Sequence, residues 1–145
     1  MTKGMKNSDK DWYECRIKYR KQMDDGTQKK VTETYVVSAV SVSDAEQILL
    51  KEIAPYIEGD SAVTSVKEAS FKEIFQNEEE LFYLCKVCFL SYDEENGSEK
   101  KTSKSILVQA DDFKSALANL EAGMKGSGNY EIVSIATTSI IDILC

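Results

Sequence analysis

The chain states one pattern twice. Trp12-Tyr13-Glu14-Cys15-Arg16-Ile17-Lys18-Tyr19 returns as Phe82-Tyr83-Leu84-Cys85-Lys86-Val87-Cys88-Phe89. A glycine and a lysine pair follow each time, Gly26 with Lys29 and Lys30, then Gly97 with Lys100 and Lys101. A tandem duplication constrains the fold strongly, because two divergent stretches must satisfy one set of local preferences. It gives two readings of one architecture and names no function.

Each copy opens on alternation. Tyr13, Cys15, Ile17 and Tyr19 point one way, and Glu14, Arg16, Lys18 and Arg20 the other, the period of a half-buried strand. Tyr83, Cys85, Val87 and Phe89 repeat the apolar side. Asp25-Gly26 and Asn96-Gly97 are hairpin turn signals. Return strands are expected at about 30–38 and 101–109. Val42, Ala45, Ile48, Leu49, Ile53 and Tyr56 then fall on one helical face, as do Phe113, Ala116, Leu117, Leu120 and Met124. Ser41 with Asp44, and Asp111 or Asp112, supply helix caps. Gly59 and the Gly126-Ser127-Gly128 stretch are expected to end the helices. A last strand closes each copy, 62–75 and 130–144, with a bend near Ala69-Ser70 and Thr137-Thr138.

The expected fold is α+β: a tandem β-β-α-β unit with a pseudo-two-fold axis, antiparallel sheets and one helix per repeat. The boundaries read 1–11 as a mobile polar lead-in, 12–75 as the first repeat, 76–81 as a linker and 82–145 as the second repeat. One repeat alone is short of core, so the two are expected to form one compact domain, as a continuous sheet or face to face, with two independent domains as the alternative.

Composition narrows the function classes. At 145 residues with 42% hydrophobic and 30% charged residues, the chain reads as globular. No run approaches a membrane span, and the N-terminus has no secretory signal, so a cytoplasmic location without membrane attachment is expected. The net charge of −7 argues against a general nucleic-acid coat protein. Residues 1–75 hold 12 Lys/Arg against 13 Asp/Glu, whereas residues 76–145 hold 6 against 12. The acidity therefore sits in the second copy.

No His occurs, which removes the usual general base and the commonest metal ligand. The acidic pairs Asp24-Asp25, Asp93-Glu94-Glu95 and Asp111-Asp112 read as turns and a cap before they read as Mg²⁺ sites. Cys85 and Cys88 have metal-site spacing, but within a strand they face opposite ways. Cys15 and Cys85 read as core thiols. No catalytic residue, metal ligand or cofactor is assigned.

The Trp12–Tyr19 opening, Gln28-Lys29-Lys30-Val31-Thr32-Glu33, Leu107-Val108-Gln109-Ala110, Gly123-Met124-Lys125-Gly126 and Tyr130-Glu131-Ile132-Val133-Ser134-Ile135-Ala136 together carry a resemblance. The chain resembles a domain-of-unknown-function family of Bacteroidetes and their phages over nearly its whole length. The resemblance implies a phage or mobile-element context in a bacterial cytoplasm and no transferable activity.

The functional expectation rests on divergence between the copies. Arg16, Lys18 and Arg20 alternate on the outward side of the first strand, with Trp12 on the same side and Lys29 and Lys30 near the hairpin end. Cations for phosphate and a ring for stacking are what single-stranded nucleic acid or a nucleotide ligand uses. With Lys86 from the second copy these form the expected ligand-binding set of a non-enzymatic binder. The alternative is a module that binds or inhibits a host protein, such as a defence factor. Leu84, Cys88, Leu90, Ile140, Ile141, Ile143 and Leu144 mark a second apolar surface, suited to the contact between repeats or to a homodimer. A carboxylate-dependent Mg²⁺ enzyme is a third reading.

Overall fold

The alternating stretch Asp11–Gln22 forms β1 and hairpins onto β2, Gln28–Ala39. A computed structural model describes residues 10–145 of the chain; all of the expected lead-in 1–11 except Lys10 and Asp11 lies outside the described residues. In the turn, the Asp25 carboxylate accepts from the Thr27 backbone N–H at 3.0 Å and hydroxyl at 2.6 Å. Helix α1, Val42–Ile53, follows, and the Ser41 hydroxyl caps it by accepting from the Asp44 N–H. A 3-10 turn at Ala54–Tyr56 leads into β3, Ile57–Glu68, and a short strand β4, Glu73–Phe75. The order then recurs: β5 at Leu81–Asp93, β6 at Ser98–Ala110, α2 at Phe113–Gly123, β7 at Tyr130–Thr137 and β8 at Ile140–Leu144.

Over the described residues the molecule is mixed α+β and mostly strand, with two four-stranded sheets ordered β3-β1-β2-β8 and β4-β6-β5-β7. Two compact units result. One runs to Ala69 and takes in Ser139–Cys145; the other is Ser70–Thr138. The division falls at Ala69/Ser70 and Thr138/Ser139, where the expected repeats run 12–75 and 82–145, and the strands form two sheets. The expected bends at Ala69-Ser70 and Thr137-Thr138 are breaks between strands. After each break the chain enters the other sheet, where β4 pairs with β6 and β8 with β2, both in parallel. The sheets are therefore mixed and not wholly antiparallel. Parallel neighbours need a long connection, and the chain between β2 and β8 supplies one that no local pattern reveals.

In the first unit Tyr13, Cys15, Ile17 and Tyr19 from β1 pack with Tyr35, Val37 and Ala39 from β2 and Ala45, Leu49 and Ile53 from α1. Burying a Leu such as Leu49 stabilises by about 1.5–3 kcal/mol. In the second unit Tyr83, Cys85 and Val87 pack with Ile106, Val108, Ala110, Ala116, Leu120 and Met124. The helical faces are narrower than the sequence implies: Val42, Tyr56, Phe113 and Leu117 are exposed.

Gly59 does not end α1. The helix stops at Ile53, where Pro55 cannot extend it. Gly59 instead has φ +81 inside β3, at a bulge where Tyr19 opposes Ser61 but Lys21 opposes Ile57. Only glycine takes that conformation without steric cost. The second helix is capped by Asp112, which accepts from the Ser115 N–H at 2.8 Å in a reciprocal capping box. In α1 the Asp44 carboxylate reaches one residue further back, to the Val40 N–H, so that box is incomplete.

Candidate functional site

The sheet of the first unit carries two different faces. On the face away from α1, Arg16, Lys18 and Arg20 are exposed along β1. Side chains two residues apart on a strand are about 6.7 Å apart, so the three cations form an evenly spaced row. Lys30 stands directly opposite Arg20 on β2 and is exposed beside it. Lys18, Arg20 and Lys30 line a shallow cavity of about 240 Å³ whose other wall is Asp60, Ser61 and Ala62 of β3. Among the described residues none of these four cations is in an ion pair.

The other expected members are placed differently. Lys29 pairs with Lys21 and so lies on the opposite face of the sheet, because neighbours on a strand alternate. Trp12 is on the basic face but half-buried at the far end of β1, with Glu14 between it and Arg16. It stands about 26 Å from Arg20 at strand spacing, too far to stack a base held at the cavity. Lys86 is exposed on β5, in the other sheet. The basic row is thus Arg16, Lys18, Arg20 and Lys30.

The face beneath α1 holds a group that the alternation conceals. Glu33 is 8% exposed, opposite Ile17 in the inward phase of β2. Its carboxylate accepts from the Tyr19 hydroxyl at 2.6 Å, the Tyr35 hydroxyl at 2.9 Å and the Lys21 ammonium at 3.3 Å. Burial by itself raises the Glu33 pKa, but these three donors outweigh it and hold the carboxyl below its ordinary value. The same burial and hydrogen bonds push Tyr19 and Tyr35 above the usual tyrosine value, so both stay protonated donors. The signal was present in the sequence: a charged residue between Val31 and Tyr35 in the buried phase of a strand. In the β5–β6 hairpin the positions in the same register are Phe89, Ser91, Lys104 and Ile106, and Lys104 instead sits over the Phe89 ring, 5.4 Å from its centre.

The acidic pairs and the cysteines are placed as follows. Asp93 accepts from Glu95 and Asn96 in the second hairpin turn, and Asp111 accepts from the Glu80 N–H. All four cysteines are free thiols. Cys15 and Cys85 are fully buried, and burial raises each thiol to about 11. Cys88, half-buried, faces away from Cys85. Among the described residues no cluster of three metal-ligating side chains occurs. Among the described residues no helix is long and apolar enough to cross a membrane.

Comparison with known proteins agrees with the resemblance read from the motifs. The model of a domain of unknown function, DUF4494, matches residues 11–145. No curated protein shows significant similarity to the chain.

Proposed function

The chain belongs to the DUF4494 family, and from that premise we propose that it is a non-enzymatic binder of single-stranded nucleic acid. The observation that carries this reading is the row Arg16, Lys18, Arg20 and Lys30, exposed on one sheet face and outside any ion pair among the described residues. Such a row tracks a flexible phosphate backbone without reading sequence. Trp12 is half-buried and lies about 13 Å beyond Arg16 at strand spacing, so the reading takes affinity to come chiefly from charge. The overall negative charge confines binding to this face and disfavours a general coat.

The reading includes the architecture. The order β-β-α-β occurs twice, each helix starts three residues beyond the preceding strand's end and directly after its cap, and a one-residue bulge falls at matching places, after Arg16 in one sheet and after Lys86 in the other. We take the two units as copies of one ancestral β-β-α-β unit whose closing strand is broken in each copy, the last segment, β4 or β8, pairing in the sheet of the other copy. A phage or mobile-element product at work in a bacterial cytoplasm fits the family resemblance.

The test is binding of a fluorescent oligothymidylate by the full chain at several salt concentrations. Neutralising three or four phosphates on a single strand gives a log–log salt slope of about −2 to −3. The triple variant Arg16→Glu, Lys18→Glu, Arg20→Glu loses binding, while Lys29→Glu, on the opposite face, retains it. Unchanged affinity in the triple variant sinks the reading. One observation favours a protein-interaction module instead: Phe113 and Leu117 are exposed one turn apart on α2. Loss of a captured host partner on Phe113→Ser with oligonucleotide binding absent would select that alternative.

A further inference from the structure

The two units fill one position differently. In the second unit Phe75 stands beside Val108 in register and packs into the core. Gly123, near the end of α2, leaves room for its ring, since a Cβ at that position would run into the ring carbons of Phe75. In the first unit the matching strand position, beside Val37, is Leu144. The matching helix position is Glu52; like Gly123, it follows its helix cap by eleven residues. A leucine occupies less space than a phenylalanine, and a glutamate at the rim does not fill the gap.

A cavity of about 370 Å³ remains in the first unit, on the face of the sheet opposite the basic row. Its volume lies in the range of small-molecule sites. Tyr19 and Tyr35 line it, with their hydroxyl protons committed to the buried Glu33. Lys21 also lines it, with its ammonium held by the same carboxylate. The charged groups left on the walls are Glu52 and Asp142, and neither is in an ion pair among the described residues. Tyr56 and Ile141, both largely exposed, add apolar surface.

We propose that this cavity binds a small organic ammonium ion with an apolar body. The walls offer acceptors: two carboxylates, and hydroxyl oxygens whose own protons are already donated. A ligand complementary to them donates hydrogen bonds and carries positive charge. The tyrosine rings favour a cation over their faces and an apolar body between them. The Glu33 network fixes both rings and cancels the one cation that would repel such a ligand. In the second unit Phe75 packs at the corresponding place and the network positions hold Phe89, Ser91, Lys104 and Ile106, so the Glu33 network is not demanded by the fold.

The experiment titrates the full ¹⁵N-labelled chain with phenethylamine and with 1,5-diaminopentane, against 2-phenylethanol and 3-phenylpropionate as neutral and anionic counterparts. An amine is expected to saturate at about millimolar concentration or tighter, a level open to so small a ligand. Shifts should concentrate at Tyr35, Tyr56, Ile141 and Asp142. The alcohol and the acid bind at least ~10-fold more weakly, as loss of a charge-assisted hydrogen bond requires. Glu52→Gln and Asp142→Asn each weaken the amine about ten-fold. Leu144→Phe, which imports the plug of the second unit, abolishes binding while Trp12 fluorescence reports a folded sheet. Arg16→Glu leaves amine binding unchanged, which separates this site from the nucleic-acid face. Failure of both amines to saturate, equal binding of the acid, or full binding by a folded Leu144→Phe chain overturns the proposal.

Discussion

The Glu33 network offers a prediction whose size follows from its geometry. Tyr19→Phe deletes the 2.6 Å hydrogen bond to a carboxylate that is 8% exposed. A hydrogen bond to a charged group contributes about 1.5–3 kcal/mol, so this variant should lose about 2 kcal/mol. Tyr35→Phe deletes the 2.9 Å bond and should lose a similar amount. Glu33→Leu removes the charge but strands both hydroxyls, on tyrosines 2% and 7% exposed; about 1–3 kcal/mol is expected. The triple variant Tyr19→Phe, Glu33→Leu, Tyr35→Phe leaves no stranded partner and should lie within about 1 kcal/mol of the native chain. Equilibrium urea unfolding followed by the fluorescence of Trp12, the sole tryptophan, measures the unit that contains the network. The pH dependence gives a second reading. Glu33 has a lowered pKa when folded, so its contribution is present above the unfolded value of about 4.3 and is lost as pH falls through the folded one. Tyr19 and Tyr35 are raised, so their contribution is full below about 10 and fades as pH rises through the folded values. The triple variant should lack both of these dependences. A triple variant as unstable as the sum of the three singles would refute the reasoning, because the network would then be scaffold with no apolar equivalent.

Two further outcomes follow from packing. Gly123→Ala places a methyl against the Phe75 ring and should destabilise its unit by about 1–3 kcal/mol; Gly123→Ala with Phe75→Leu should recover most of that loss in urea unfolding followed by far-UV circular dichroism, which reads both units. With a thiol reagent at pH 8, exposed Cys145 reacts first and half-buried Cys88 more slowly, while Cys15 and Cys85 react only on unfolding, since both are fully buried with thiols near 11. Prompt modification of four thiols in the native chain, counted by mass, would contradict that packing.

Much of the architecture was legible because it is local. Alternation around Cys15 and Cys85 gave the two strands and their buried sides, and Asp25-Gly26 and Asn96-Gly97 gave the turns. The core faces of the helices came from Ala45, Leu49 and Ile53 and from Ala116, Leu120 and Met124. Gly59 misled because a glycine marks positive φ wherever the chain needs it, and here a strand bulge needed it. Lys29 misled because its face depends on register, and a one-residue step moves a side chain to the other side of the sheet. Glu33 was readable as a polar residue in a buried phase, but its partners were not, since Tyr19 and Lys21 reach it across a strand pair.

The sequence alone determined the two hairpins, the two capped helices and the separation of apolar from basic sides on β1, because alternation, turn chemistry and capping act between residues near each other along the chain. Tertiary structure alone decided that β4 and β8 join sheets begun elsewhere in the chain, and that Leu144 and Glu52 leave open in one unit the space that Phe75 and Gly123 close in the other. Parallel pairing and cavity filling join residues far apart in sequence, and the free energy of such contacts leaves no periodic trace in the chain that makes them.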